Sequence, residues 1–234
     1  MQNRLHLMLG SSSPGILDGD DYDVTIMVGA KCNLELETQS YQRLFNMYKG
    51  AKQTMNVVLH AGASFVYLPH PVVPHEGAIF LSKTKLNLHA ASSLLWGEIM
   101  SCGRKLNGEV FKFTSYHSLL QIFQNDKLVV KENILLKPAE MNLSSIGHFE
   151  GFTHHATLIF INNEIVVADL ISLLVEMLCV EKNIAFGVSA LPVNGIIIRL
   201  LGYAAEHLFE LVKTLAYQCE SFQTLKTTNQ KAHV

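Results

Sequence analysis

The chain is short of charge and of proline, has no clustered cysteines and carries no long apolar run, and each shortage closes off a class of function. Charged residues make up 16% of its 234 residues and hydrophobic ones 49%, too apolar a balance for a disordered chain. No apolar stretch reaches the ~20 uninterrupted residues of a membrane helix. A domain of this length is expected to bury roughly 70% of the surface its unfolded form exposes, with part of the remaining surface covered by partners. Lys and Arg total 18 against 20 Asp and Glu, and the basic residues are scattered, so no footprint for nucleic acid is present. Cys32, Cys102, Cys179 and Cys219 never approach a C-x-x-C spacing and read as small buried hydrophobes in a reducing compartment. The start, MQNRLHLMLGSSSPG, has one Arg and a brief apolar core, too short for a secretory signal, which predicts a cytoplasmic protein.

Catalytic signatures are missing as well. There is no G-x-x-x-x-G-K-[ST] and no G-x-G-x-x-G after a strand, so no glycine loop is encoded to cradle a phosphate. There is no G-x-S-x-G either, and Ser189 in FGVSAL falls in a predicted strand without the flanking glycine of a nucleophile elbow.

What the sequence does have is a repeat. VGAKCNLEL from Val28, LHAGASFVY from Leu59 and LHAASSLLW from Leu88 share an apolar start, a small turn-forming group and later apolar residues, at spacings of 31 and 29. Runs with period-two alternation, DVTIMV, MNVVL and TKLNL, precede them, so the expected fold is mainly β: stacked β-layers built on a repeat of ~30 residues. Asn125-Asp126 and Asn194-Gly195 predict two hairpins. Helical spacing appears only late. One helix is expected near 167–180, with Leu170, Leu173, Leu174, Met177 and Leu178 on one stripe and Asp169 at its start. A second is expected near 202–222, striped by Leu208, Leu211, Val212, Leu215 and Cys219. We therefore expect one β-rich domain over 1–222 and a polar tail over 223–234 that a partner orders.

Metal chemistry needs convergent ligands. FVYLPHPVVPHEGAIF offers His70, His75 and Glu76, the candidates for a metal-dependent β-fold enzyme. Strand periodicity sends His70 and His75 to opposite faces and separates the adjacent His75 and Glu76, as it does His154 and His155. Packing roles are the better reading. The acidic DGDDYD segment, Asp18 to Asp23, has its glycine second rather than sixth and reads as a solvated turn, not a calcium loop. Glu98, Arg104 and Glu132 interrupt apolar runs, and a buried charge costs several kcal/mol unless paired or hydrated. They either pair structurally or line a wet passage that accepts a cation.

Four segments in order, SPGILDGDDYDVTIMVGAKCNLELETQSYQRLF, FVYLPHPVVPHEGAIF, SLLWGEIMSCGRKLNGEVFKF and FEGFTHH, resemble the UreD family of urease accessory proteins, called UreH in helicobacters. That resemblance runs from about Leu5 to Val234. It implies a mostly β fold with two helices and a non-enzymatic role. With UreF directly, and the GTPase UreG through UreF, such a protein docks on apo-urease and helps nickel reach the active site. No cofactor is then held tightly; the nickel ion is transient cargo. The resemblance places the glycine-aspartate turn on Gly19 and Asp20, and the strand acid and Gly-Arg on Glu98, Gly103 and Arg104. A further strand acid falls on Glu132. These, with Glu76 from the proline-and-acid loop, are the expected lining of a nickel route: Asp20, Glu76, Glu98, Arg104 and Glu132. Partner binding is expected on the last helix through Leu208, Leu211, Leu215 and Phe222. Relatives of this kind place Trp directly before the strand acid; here Trp96 precedes Glu98 by two and should share its face. They also carry a further stretch before the S-P-G turn, so one or two edge strands are expected to be missing or supplied otherwise. A plain β-interaction module outside urease biology is the remaining alternative.

Overall fold

The computed structural model describes residues 4–231, with side chains as far as Phe222. Its strands are β1 (Leu5–Leu9), β2 (Asp21–Val28), β3 (Asn33–Thr38), β4 (Gln42–Leu44), β5 (Ala51–Leu59), β6 (Ser64–Tyr67), β7 (Val72–Pro74), β8 (Ile79–Leu88), β9 (Ser93–Ser101), β10 (Ser115–Gln124), β11 (Lys127–Leu136), β12 (His154–Ile161), β13 (Ile184–Ala190) and β14 (Gly195–Gly202). The helices are α1 (Val167–Cys179) and α2 (Ala205–Lys231).

Three coils stack at the start of the chain. In each, a strand of a short sheet (β2, β5, β8) turns a corner into a strand of a long sheet (β3, β6, β9). The corners are the repeated segments: Val28 lies beside Leu59 and Leu59 beside Leu88 in parallel register. Backbone bonds carry the ladder around each corner, His60 N–H to the Val28 carbonyl at 3.1 Å and His89 N–H to the Leu59 carbonyl at 3.0 Å. Identical corners are why the repeat is visible in the sequence: each coil must bury the same apolar positions against the next.

The rest of the chain closes this stack into a sandwich. β10 joins β8 in parallel and pairs with β11 to give the short sheet the order β11-β10-β8-β5-β2. β12 lies between β9 and β14, extending the long sheet as β1-β3-β6-β9-β12-β14-β13, with β4 and β7 paired at its side. The Asn125-Asp126 hairpin is as expected, with both residues at positive φ, 48° and 62°. The second hairpin differs. β13 and β14 are antiparallel neighbours, but residues 191–194 form the loop and Gly195 opens β14. A Cβ on Gly195 would stand 2.5 Å from the Phe160 carbonyl oxygen, so this glycine serves close strand approach rather than a turn.

Both helices cover the outer face of the long sheet, making three layers. Leu170, Leu174 and Leu178 of α1 and Leu208, Val212, Leu215 and Cys219 of α2 pack on Leu95, Ile99, Leu158 and Ile198. Because β9 has a helix layer on one side and the short sheet on the other, its run LLWGEIM is apolar almost throughout. α2 begins at Ala205, and its side chains over 223–231 lie outside the described ones, as does the expected ordering of the polar tail by a partner. No helix among the described residues is long and apolar enough to cross a membrane.

Candidate functional site

Between the two sheets the apolar interior is split. One cluster, with Phe65, Leu86, Leu94 and Trp96, fills the corner end; another, with Leu44, Phe80, Phe113 and Phe149, fills the opposite end. A cavity of about 330 Å³ lies along the division. That is room for many waters rather than one.

Register explains its polar wall. Tyr22, Gln53, Ser82 and Ser118 stand side by side across β2, β5, β8 and β10, and all four line the cavity. The next inward row is Val24, Met55 and Thr84. Facing them from the long sheet are Tyr67, Trp96, Glu98, Met100 and His155. Segments 9–16 and 38–42 form the mouth, so the S-P-G residues Ser13, Pro14 and Gly15 border the opening. Beside it the Tyr41 hydroxyl donates to Glu206 of α2 at 2.8 Å, and the His70 ring lies tilted against Phe209 with ring centroids 4.7 Å apart.

Glu98 is the carboxylate in that wall. Trp96 shares its face as expected and donates its indole N–H to Glu98 Oε1 at 3.0 Å, while the Ser118 hydroxyl reaches Oε2 at 3.5 Å. Burial pushes its pKa up; the two hydrogen bonds oppose this, and the negative charge of Glu132 adds to the rise. A carboxylate so placed, with hydroxyls and open volume before it, favours either a proton or a hydrated cation.

The other expected lining residues fall in different places. Glu132 points inward from β11 but is taken by Arg199 of β14. Asp20 sits one step behind the wall, accepting the Leu17 N–H at 2.8 Å and the hydroxyl of cavity-lining Tyr22 at 3.2 Å. Glu76 and Arg104 are away from the cavity. Glu76 is exposed, and its backbone N–H donates to Glu109 at 3.2 Å. Arg104 lies beyond the end of β9, before a single 3-10 turn (Lys105–Asn107), so it does not interrupt a strand. Its guanidinium pairs with buried Glu109, with Nε to Oε2 at 2.9 Å. A buried acid five residues away needed a partner more than the cavity needed a cation. Asp18, in the acidic turn, accepts the N–H groups of Tyr48, Lys49 and Gly50, which makes the DGDDYD segment a structural turn.

The histidines do not converge. His70 bonds Thr38 through both its ring, at 3.2 Å, and its backbone N–H, at 2.8 Å; His75 is buried edge-on against Phe45. Among the described residues no three His, Cys, Asp or Glu side chains are grouped to hold a metal ion. The partner-binding expectation needs correction too. Leu208 and Leu215 are fully buried and Leu211 is nearly so, all against the long sheet, while Phe222 is packed at the edge of that same cluster. An apolar stripe satisfied by the chain's own sheet is not available to a partner.

Sequence reasoning missed Ser82, Ser118, Tyr22, Gln53, His155 and Arg199. A signal existed for three of them: Tyr22, Gln53 and Ser82 each lie six residues before the corner residues Val28, Leu59 and Leu88. Aligning the repeats one position at a time would have shown a polar stripe running from coil to coil.

Buried His154 and cavity-lining His155 both have pKa values lowered to about 4, by burial first; nearby Lys105 adds for His154 and Arg199 for His155, while Glu206 and Glu132 respectively oppose. Folded values below the ordinary 6.5 mean the unfolded chain binds these protons first. Their contribution to stability is complete above about pH 6.5 and is lost as pH falls toward 4, on the order of 3 kcal/mol at most from each. Melting temperature followed from pH 7 to 4.5 should therefore drop less steeply in His154→Gln than in the native chain.

This arrangement has relatives. The family model for UreD urease accessory protein matches residues 1–231. The chain belongs to the UreD urease accessory protein family. A Flavobacterium johnsoniae urease accessory protein UreD is 50% identical over 212 residues, covering 90% of this chain and 76% of that one. Those of Acetivibrio thermocellus, over 212 residues, and Haemophilus influenzae strain PittGG, over 223, are each 34% identical; they cover 90% and 91% of this chain and 80% and 82% of theirs. UreD membership accords with the mostly β fold and two helices that the resemblance implied.

Proposed function

We propose that this chain is a non-catalytic scaffold of urease maturation that binds UreF directly and UreG through UreF in the cytoplasm, docks with them on apo-urease, and passes nickel through its inter-sheet cavity. The carrying observation is Glu98: a carboxylate deep between two apolar clusters, held by Trp96 and Ser118 at the side of a hydroxyl-lined space. Nickel is cargo here, not a resident cofactor. One carboxylate with hydroxyls and water attracts a hydrated divalent ion weakly enough to release it, whereas His and Cys chelation would trap it. The absence of a P-loop fits GTP hydrolysis by UreG. Membership in the UreD family supports the urease setting.

The test is urease activity, and nickel bound to urease, in cells that express the urease subunits, UreF and UreG at limiting nickel, with and without this chain. Both should be lost without it and restored with it. Full activity without the chain, in cells with no redundant relative, would overturn the reading in favour of an interaction module.

A further inference from the structure

Basic residues are scattered along the chain, but strand register gathers three of them. In the short sheet, residues that alternate with the cavity wall point outward. Lys83 thereby lies beside Leu119, and Lys85, Gln121 and Lys131 form the next row across β8, β10 and β11. All three lysines are exposed, and among the described residues none meets a carboxylate. Lys85 lies over the Phe123 ring at 4.9 Å. The one acid of these strands, Glu132, faces the other way, toward Arg199. Acids return only at the sheet's edge on β2, where Asp21 is paired with Lys52 at 2.9 Å. The row nearest the corners is largely apolar: it runs from Met27, 68% exposed, through Val58, Asn87 and Phe123 to Leu128, 47% exposed. Both helices pack on the long sheet, so no helix covers this face.

We infer that the outer face of the short sheet docks an acidic surface of a folded partner protein, with Lys83, Lys85 and Lys131 meeting its carboxylates and the Phe123 row lying against apolar residues beside them. Charge complementarity selects the partner. The chain is net −2, yet the centre of this face holds three cations and no anion. A nucleic acid or an anionic bilayer would find only these three cations on a chain that repels it overall. The ladder also fixes the spacing, about 4.8 Å between strands and about 6.8 Å between outward residues of one strand, which suits carboxylates held on a folded surface. The whole face spans about 20 Å by 20 Å, roughly half of one partner's share of a standard interface. Association through it is therefore weak, salt-sensitive and steered by charge. This inference rests on the scaffold reading for its partners, but not on the cavity's being a nickel route.

The experiment mixes the full chain with UreF, UreG and apo-urease and compares amine acetylation of each lysine with and without them. Lys83, Lys85 and Lys131 should become at least about five-fold less reactive in the complex, and carbodiimide should link them to acidic residues of one partner. The triple variant Lys83→Glu, Lys85→Glu, Lys131→Glu should weaken assembly by about a hundred-fold. A control with the same change in net charge reverses three exposed loop lysines, Lys49→Glu, Lys112→Glu and Lys182→Glu, and should assemble within about three-fold of the native chain. Where the triple glutamate variant fails to fold, the triple glutamine variant carries the expectation at about ten-fold. A complex that forms with the three lysines still fully reactive, or equal losses in variant and control, overturns the docking face while leaving the scaffold standing. Binding of the native chain to phosphatidylglycerol vesicles or to duplex DNA, lost in the triple variant and without protection by the proteins, overturns it in favour of that polyanion. If the native chain assembles with none of the three proteins, the scaffold reading fails and the docking face with it.

Discussion

Glu98→Gln is expected to cut nickel-dependent urease activation by about a thousand-fold, the effect of removing one unit charge about 8 Å from a divalent ion's path at an effective dielectric of about 20. The same substitution should leave folding intact or improve it. Glutamine keeps the size of the side chain and an oxygen for the Trp96 indole N–H. It removes a carboxylate whose ionised form is disfavoured by burial and by Glu132. The sign is fixed by linkage. A carboxyl whose folded pKa is raised stabilises the fold while protonated, and that contribution is lost as pH rises through the raised value. Since Gln imitates the protonated state, the variant's advantage in melting temperature over the native chain should grow with rising pH. Activation lost together with a higher melting temperature would identify Glu98 as a residue kept at the expense of stability. Insoluble protein would instead mark it as structural, and unchanged activation in a well-folded variant would remove it from the route.

Much of the fold was readable because the stacked coils repeat their own constraints. Every corner buries the same apolar positions, so Val28, Leu59 and Leu88 announce themselves at a constant spacing; the Asn125-Asp126 turn and the two helical stripes are equally local. What could not be read is which distant strands meet. Nothing near Thr157 says that β12 will slide between β9 and β14, and without that placement Glu98 and Arg199 do not fall in one row. The candidate site suffered from the same limit. Glu98 was legible as a charge in an apolar run, but Arg104 looked identical in sequence and proved to be the partner of buried Glu109. An acid in an apolar segment shows that some compensation is required; only tertiary neighbours decide between a salt bridge and a wet cavity.

The second helix shows the same ambiguity from the apolar side, and it carries the other large expected effect. Leu215 has no exposed surface and lies in the cluster formed with Leu158, Ile198 and Leu208. Leu215→Ala should cost about 2–5 kcal/mol, the usual loss for truncating a buried leucine, measured by chemical denaturation of the purified chain. Tyr217, two residues on, is 68% exposed, and Tyr217→Ala should change stability by no more than about 0.5 kcal/mol. The pair separates core from surface on one helix. If α2 contributes to UreF binding, it does so through its solvent side, so under folding conditions Tyr217→Ala is the variant expected to weaken association directly. Leu215→Ala should weaken it only as far as it unfolds the chain. Direct loss of UreF binding by a fully folded Leu215→Ala protein would require α2 to leave the long sheet on complex formation, and would return the leucine stripe to the partner.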